Sequence, residues 1–201
     1  KGMFTTGVIA CSKNKPVITL FFTGHKHAGE NLARVLEERP PTLSPPILMC
    51  DALSRNTPSQ ISIILARCFA HARRKFHEIQ DSFPLQCHKI LTITSYIYDI
   101  DRITKVQKMS DQERLIYHQL FSGPAIEQLE KIFKDLNADK GIEPSNCLGK
   151  AVTYCLNHWR GLTLFLREPG APLDNNICER ALKMAILNRK NAYFYRSKLG
   201  A

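Results

Sequence analysis

A long helical block in the middle of the chain constrains the fold more than any other feature of the sequence. From residue 77 to about residue 166, apolar residues recur at helical spacing, and capping or turn signals divide the pattern into segments. The predicted helices cover residues 90–106, 111–121, 125–136 and 148–166. Strand-rich sequence lies on both sides of this block. The pattern therefore predicts an α/β core interrupted by a large all-α insertion.

The sequence before the block predicts a hairpin and two helices. Residues 4–11 and 17–23 are rich in Thr, Val, Ile and Phe, and the turn-forming residues between them indicate a β-hairpin. Residues 25–38 have apolar positions at helical spacing and precede a proline-rich stretch that ends the predicted helix. A second helical pattern runs from Cys68 to His77.

Asp51 directly follows a short apolar run. Residues 47–50 are wholly apolar, and residues 61–66 form a similar run, so both are predicted to be buried strands. A carboxylate at the C-terminal end of a buried strand occupies the position where α/β folds carry catalytic groups. Alternatively, Asp51 caps the next turn, where Ser54 and Asn56 lie nearby. The pattern leaves both interpretations open.

The segment from Asp174 to Arg180 sets a carboxylate in the first turns of another predicted helix. Asp174 or an adjacent Asn is a good N-cap, and Glu179 lies one turn before Lys183. Apolar residues at helical spacing predict a buried stripe of Ile177, Ala181, Met184 and Ala185. Alternatively, this is an ordinary capped amphipathic helix whose Glu-to-Lys pair contributes only about 0.2 to 0.5 kcal/mol.

Composition indicates a soluble cytoplasmic protein that binds a polyanion. The 201 residues are 44% hydrophobic, which is enough for one sizeable core, and the formal charge is +10. No apolar run reaches the roughly 18 residues of a membrane span, and the N-terminal sequence has no signal-peptide pattern. The seven scattered cysteines indicate reduced thiols rather than a disulfide framework. We expect nucleic acid to be the polyanion, in preference to an acidic membrane surface.

Cations are concentrated in two regions, and they are the predicted DNA-binding residues. They are His71, Arg73, Arg74, Lys75, Arg180, Lys183, Arg189, Lys190 and Arg196. The aromatic residues Tyr193, Phe194 and Tyr195 interleave with the last of these and offer faces on which bases could stack. The alternative is a solvated basic helix followed by an edge strand.

Three carboxylates, Asp51, Asp174 and Glu179, are candidates for a metal site. Two-metal phosphoryl-transfer sites need carboxylates from different elements to converge on two Mg²⁺ ions, and hard oxygen ligands suit this ion. The spacing of acids in a sequence has little specificity by itself. A Cys68-x-x-His71 pair could instead be half of a zinc site with Cys87-His88, although zinc sites usually show paired CxxC or HxxxH halves.

Several motifs, in order through the chain, resemble the transposase of the insertion sequence 66 family. They are Met49-Cys-Asp-Ala-Leu-Ser-Arg-Asn56, Cys68-x-Ala-His-Ala-Arg-Arg-x-Phe76, His158-Trp159, Leu162-Thr-Leu-Phe-Leu-Arg167, Asp174-Asn-Asn-x-x-Glu-Arg-Ala181 and Arg189-Lys-Asn191. The Asp-Asn-Asn-x-x-Glu-Arg block is the most specific of them.

The resemblance implies a DDE-type catalytic core with a ribonuclease-H-like fold, built on a mixed sheet. Residues 1–76 would form its N-terminal part, 77–170 the helical insertion, and 171–201 the C-terminal catalytic helix and basic segment. Asp51 matches the second catalytic aspartate of the family and Glu179 the final glutamate. With two Mg²⁺ ions, such an enzyme hydrolyses a phosphodiester at the element end, and the freed 3′-hydroxyl attacks target DNA. Asp174 is then interpreted as the N-cap that aims Glu179 at the metal.

The family's first catalytic aspartate is expected upstream of Lys1, so we expect this chain to be a fragment that is inactive alone. We also expect DNA ends and target DNA as partners, a homo-oligomer assembled on DNA, accessory proteins, and association with the nucleoid. The alternative function is a non-enzymatic DNA-binding or assembly remnant of a transposase. A weaker third interpretation makes the helical insertion a protein-interaction module, because apolar residues crowd together near Trp159.

Overall fold

A computed structural model describes residues 3–12, 15–59 and 61–192, without the side chains of 184–186 and 188–192. The strands are β1 (Phe4–Ala10), β2 (Ile18–Gly24), β3 (Ile47–Cys50) and β4 (Ile64–Arg67). The helices are α1 (Ala28–Glu37), α2 (Phe69–Glu78), α3 (Pro84–Val106), α4 (Asp111–Phe121), α5 (Gly123–Ala138), α6 (Cys147–Asn157), α7 (Trp159–Leu162) and α8 (Asn176–Ala192).

These elements belong to two units. The first contains the described residues of Lys1–Pro46, Ala52–Ile64 and Asn175–Ala201, and the second contains Ile47–Asp51 and Leu65–Asp174. None of the described helices is long and apolar enough to cross a membrane. All seven cysteines lie within the described ranges and are free thiols, as the sequence predicts.

The predicted hairpin is confirmed as the sheet of the first unit. β1 and β2 pair in antiparallel fashion, with Phe4 opposite Gly24 and Ala10 opposite Ile18. The following helix, α1, begins three residues later than predicted. His27 precedes it, and the backbone N–H of His27 donates a hydrogen bond of 2.7 Å to the carboxylate of Glu30. This capping contact defines the start of α1.

Helices α1 and α8 pack on opposite faces of the hairpin. Asn31 of α1 donates a hydrogen bond of 3.3 Å to the hydroxyl of Thr6. On the next residue of β1, a Cβ added to Gly7 would lie 2.9 Å from the side chain of Leu182 in α8. Because successive residues of a strand point to opposite faces, the two contacts place the helices on the two sides of the hairpin. Glycine at this position permits the close approach of α8.

The buried side of α8 differs from the predicted stripe. The thiol of Cys178 donates to the carbonyl oxygen of Gly7 at 3.3 Å, and Leu182, one turn later, contacts the same strand residue. Ile177, which was predicted to be buried, is 46% exposed. The prediction of a buried Ile177 is therefore wrong, whereas the predicted side chains of Met184 and Ala185 lie outside the described residues.

The parallel strands β3 and β4 precede α2. The N–H of Ile64 donates to the carbonyl of Pro46 at 2.9 Å, and the N–H of Cys68 donates to that of Cys50 at 3.1 Å. Both bonds join residues eighteen positions apart, as a parallel register requires. The predicted strand 47–50 is confirmed, whereas the predicted strand 61–66 begins at Ile64 and extends to Arg67.

The helical block of the second unit agrees with the sequence prediction except at its ends. Helix α4 has the predicted bounds, and α3 begins earlier than predicted because Pro84 occupies its first turn, where proline is tolerated. The predicted single helix over 148–166 is wrong, because it breaks at His158 into α6, α7 and a short 3-10 turn. A Cβ added to Gly161 would lie 2.6 Å from Cγ of Arg67, so this break accommodates packing against β4.

Aromatic residues from three helices form part of the core of the second unit. The rings of Phe76 and Phe133 stack with centroids 5.4 Å apart, and Trp159 meets Phe133 edge-on at 5.7 Å. Leu162 and Phe165 are buried in the same unit. These crowded apolar residues near Trp159 therefore contribute to the core of the second unit.

The mixed α/β class is confirmed, with small sheets and mostly helices. The described strands form two separate two-stranded sheets, β1–β2 and β3–β4. A ribonuclease-H-like core with a mixed sheet, and the division at residues 76 and 170, stay predictions.

Candidate functional site

Asp51 lies at the C-terminal edge of the parallel pair β3–β4. It directly follows Cys50, and its side chain is half-buried. The guanidinium of Arg67, at the end of β4, donates through Nη1 to the main-chain carbonyl of Asp51 at 2.5 Å and to Sγ of Cys50 at 3.2 Å. Because parallel strands end at the same edge, Asp51 and Arg67 meet there. Arg67 thereby fixes the backbone that carries the Asp51 carboxylate.

Helix α2 starts at the same edge and carries four of the predicted DNA-binding residues. Cys68 immediately precedes it, and the N–H of Phe69 donates to the carbonyl of Leu173 at 3.0 Å. His71 and Arg73 are half-buried, and Arg74 is exposed. Lys75 is half-buried, and its Nζ lies 4.4 Å from the centroid of the Tyr154 ring, in a cation–π contact.

Tyr154 and His158 of the helical block face these groups. Their rings meet edge-on with centroids 4.9 Å apart. Burial raises the pKa of Tyr154 to about 12, and the charges of Cys155 and Asp51 add to this effect. Burial lowers the pKa of His158, and the positive charges of Arg67 and Lys75 lower it further. Arg67 and Lys75 therefore both lie close enough to His158 to disfavour its protonated form.

Glu179 lies in the first turn of α8, in the first unit. Its backbone N–H donates to the carbonyl of Asn175 at 3.1 Å, and its side chain is half-buried. Burial raises the pKa of the neighbouring Cys178 thiol, and the negative charge of Glu179 contributes to this shift. Arg180 and Lys183 of the same helix are exposed.

The start of α8 lies next to the residues predicted to cap it. Helix α8 begins at Asn176, so the residue immediately before it is Asn175 and not Asp174. Asn175 also supplies the carbonyl that accepts the first helical hydrogen bonds, from Cys178 at 2.9 Å and from Glu179. The side-chain oxygen Oδ1 of Asn175 is buried and has no hydrogen-bond partner among the described residues, so this side chain does not cap the helix. The interpretation of Asp174 as the cap that aims Glu179 stays a prediction.

Three predicted DNA-binding residues cannot be placed with their side chains. The backbones of Arg189 and Lys190 continue α8, but their side chains lie outside the described residues. Arg196 and the aromatic residues Tyr193, Phe194 and Tyr195 also lie outside them.

Comparison with known protein families identifies the family of this chain. A model described as the Transposase IS66 family matches residues 8–201, which is almost the whole chain. The chain belongs to this family. The resemblance inferred from the Asp-Asn-Asn-x-x-Glu-Arg block and the other motifs is therefore confirmed.

Curated relatives of this IS66-family chain occur in Sinorhizobium fredii (strain NBRC 101917 / NGR234). The uncharacterized protein y4jD is 37% identical over 131 residues, which cover 65% of this chain and 25% of that relative. The uncharacterized protein y4hP is 30% identical over 154 residues, which cover 70% of this chain and 27% of that relative. The chain thus spans about a quarter of the length of the curated relatives it matches. No solved structure matches the chain significantly.

The two acids predicted to be catalytic lie in different units. Asp51 belongs to the second unit and Glu179 to the first. Both side chains end in hard oxygen donors, which is the ligand chemistry that Mg²⁺ prefers. A magnesium site shared by Asp51 and Glu179 fits this donor set and stays a prediction.

The zinc alternative finds no support in the second unit. Cys87 is fully buried in α3, and burial raises the pKa of its thiol. Among the described residues, neither Cys87 nor His88 joins Cys68 and His71 in a group that could hold a metal ion.

Sequence reasoning did not single out Arg67 or Tyr154, and it noted His158 only within the His158-Trp159 motif. Arg67 was assigned to no element, because the predicted strand ended one residue before it. Tyr154 and His158 are four residues apart in or beside α6, so they share a face, and this spacing was a usable signal. Lys75 contacts the ring of Tyr154, and this contact joins segments that are far apart in sequence.

Proposed function

We propose that this chain forms part of the catalytic core of a DNA transposase that cleaves and joins DNA strands with the help of Mg²⁺. The match of residues 8–201 to the Transposase IS66 family carries the proposal. The layering of α1 and α8 on opposite faces of the β1–β2 hairpin and the parallel pairing of β3 and β4 support a ribonuclease-H-like α/β core.

In this proposal Asp51 is one metal-binding carboxylate. It follows β3, a half-buried strand that holds its backbone, and Arg67 fixes the orientation of its peptide group through the main-chain carbonyl. The Arg67 guanidinium therefore acts on the main chain of Asp51, whereas the Asp51 carboxylate is the proposed metal ligand. A fixed backbone limits the conformations of Asp51, so less ordering is needed when a cation and a DNA phosphate bind.

Glu179 is the second proposed carboxylate. It is carried by the first turn of α8, whose close packing on Gly7 and the hydrogen bond from Cys178 hold the helix against β1. Bound Mg²⁺ would neutralise charge on the scissile phosphate and favour attack by a water or a 3′-hydroxyl. Asp51 and Glu179 would bind that ion and orient it.

The cations of the chain supply the proposed grip on DNA. The formal charge of +10 favours association with a polyanion. Arg180 and Lys183 are exposed on the helix that carries Glu179, and Arg74 is exposed on α2. We propose that these side chains contact backbone phosphates, together with His71, Arg73, Lys75, Arg189, Lys190 and Arg196.

A cleavage assay tests the proposal. The full-length protein that we expect to contain this chain would be incubated with DNA carrying the element ends, with Mg²⁺ or with EDTA. Asp51→Asn and Glu179→Gln should each abolish strand cleavage while DNA binding persists, because each removes a charged ligand without changing the side-chain shape.

Exposed acids provide matched controls. Asp81→Asn and Glu127→Gln make the same chemical changes at exposed positions of the second unit and should leave cleavage unchanged. Cleavage that survives in Asp51→Asn or Glu179→Gln would refute the assignment of that residue.

The excess of positive charge also favours a second candidate, a non-enzymatic DNA-binding or assembly remnant. It predicts duplex binding that weakens steeply with salt, since binding would depend on phosphate contacts. This second candidate also predicts that the full-length protein does not nick DNA with Mg²⁺ under any condition in which it binds DNA. Nicking that requires Asp51 would exclude this candidate.

A further inference from the structure

Side chains with positive charge surround Tyr154 beside Asp51, entirely within the second unit. We call Arg67, Lys75, Tyr154 and His158 the Tyr154 cluster. Lys75 lies over the Tyr154 ring at 4.4 Å, and His158 meets the same ring at 4.9 Å. Arg67 lies at the end of β4 and acts electrostatically on both Tyr154 and His158. Strand β4, helix α2 and helix α6 therefore contribute to one polar cluster.

The contacts described for the two cations of the cluster are with uncharged groups. Nη1 of Arg67 donates to a thiol sulfur and to a main-chain carbonyl, and both acceptors are uncharged. The partner of Lys75 is the face of an aromatic ring. All four side chains are half-buried, so their charges and dipoles are less screened than those of fully exposed residues. The cluster thus offers positive charge to an anion.

The position of the cluster indicates which anion this is. Arg67 touches the main chain of Asp51, the proposed metal ligand, so an anion at the cluster would lie next to the reacting phosphate. A guanidinium, an ammonium, an imidazole and a phenol are all hydrogen-bond donors to phosphate oxygens. A DNA strand that places one phosphate at the metal would carry neighbouring phosphates alongside it.

We propose that the Tyr154 cluster binds a backbone phosphate of the DNA strand that is held at Asp51. This inference rests on the proposed function, which it extends by assigning Arg67, Tyr154 and His158 to DNA binding and by giving the helical block a direct role in holding the strand. Tyr154 then positions Lys75 through the ring contact and donates its own O–H to a phosphate oxygen.

The test measures binding of the 201-residue chain to a short fluorescein-labelled DNA duplex by fluorescence anisotropy, in EDTA, at several salt concentrations. Lys75→Gln removes one cation and keeps the length of the side chain. Tyr154→Phe keeps the ring beneath Lys75 and removes only the hydroxyl. The matched control is Lys131→Gln, which removes the same charge from an exposed position on α5.

We expect Lys75→Gln to weaken binding about fivefold to tenfold and to reduce the slope of log K against log salt by about 1, as loss of one phosphate contact requires. Tyr154→Phe should weaken binding about tenfold, the size expected for loss of one hydrogen bond to a charged phosphate oxygen. Lys131→Gln should change binding less than about twofold. Equal effects of Lys75→Gln and Lys131→Gln, or wild-type binding by Tyr154→Phe, would overturn the proposal.

The phosphate site at the Tyr154 cluster and the proposed transposase function can be refuted independently. Binding is measured in EDTA, which removes any contribution of a metal ion. Weakened binding by Lys75→Gln and Tyr154→Phe supports the phosphate site even if the full-length protein never cleaves DNA. Normal binding by both variants overturns the phosphate site even if Asp51→Asn abolishes cleavage.

Discussion

Replacing Asp101 with alanine should destabilise the second unit, because this buried carboxylate joins α3 to α4. The side chain of Asp101 is 3% exposed. Nη2 of Arg114 donates to it at 2.7 Å, Nζ of Lys105 lies 2.5 Å away, and Nε2 of His118 lies 3.4 Å away. On the opposite side of the His118 ring, Nδ1 lies 3.0 Å from the hydroxyl of Ser122.

The expected loss follows from the exposure of each partner. Arg114 is 16% exposed, so removing Asp101 leaves a largely buried charge without compensation, which costs about 3 to 5 kcal/mol. Lys105 is 62% exposed, so its pair contributes less than about 1 kcal/mol. We therefore expect Asp101→Ala to lower the free energy of unfolding by about 4 kcal/mol, most of it through Arg114.

Equilibrium unfolding in urea, followed by circular dichroism at neutral pH, measures this change. Asp99→Ala is the matched control on the same helix, since its ion pair with Arg102 is 63% exposed on the aspartate side and should contribute less than about 1 kcal/mol. If Asp101→Ala costs no more than Asp99→Ala, the argument that the buried pair holds α3 to α4 is refuted.

Two further predictions concern pH and the packing of α8. Burial alone would raise the pKa of Asp101, but the neighbouring His118 and Lys105 and the charge of Arg114 outweigh it and lower the pKa. The stabilisation is therefore complete above the unfolded pKa of about 3.9 and is lost as the pH falls below it, so urea unfolding should show a steeper acid loss for wild type than for Asp101→Asn. Separately, Gly7→Ala should destabilise the first unit by about 1 to 3 kcal/mol, because the added Cβ would lie 2.9 Å from Leu182. Gly24→Ala, where a Cβ meets nothing within 4 Å, is the control, and equal unfolding free energies for the two variants would contradict this packing.

Elements whose signals are local were predictable from the sequence. Helix α4 has the predicted bounds because Ser110 and Glu113 cap it reciprocally: the Ser110 N–H donates to the Glu113 carboxylate at 2.7 Å, and the Glu113 N–H donates to the Ser110 hydroxyl at 3.3 Å. Strand β3 was equally clear, because an apolar run of four residues ends at a single aspartate.

Features that depend on distant contacts were not predictable in this way. The break at His158 accompanies the packing of Gly161 on Arg67, a residue far away in sequence, and helical periodicity continues across it. The Tyr154 cluster likewise joins β4, α2 and α6. Motifs predict Asp51 and Glu179 as site residues, but the partners of a site come from tertiary packing, which no single segment encodes.

Metal-directed backbone cleavage tests the central claim, that Asp51 and Glu179 share a metal site, most directly. Fe²⁺ would replace Mg²⁺ in the full-length protein, and ascorbate with peroxide would generate hydroxyl radicals that cut the chain near the bound ion. The account predicts cuts close to both Asp51 and Glu179, and the loss of both sets of cuts in Asp51→Asn. Cuts near only one of the two residues, or cuts near Glu179 that persist in Asp51→Asn, would contradict it.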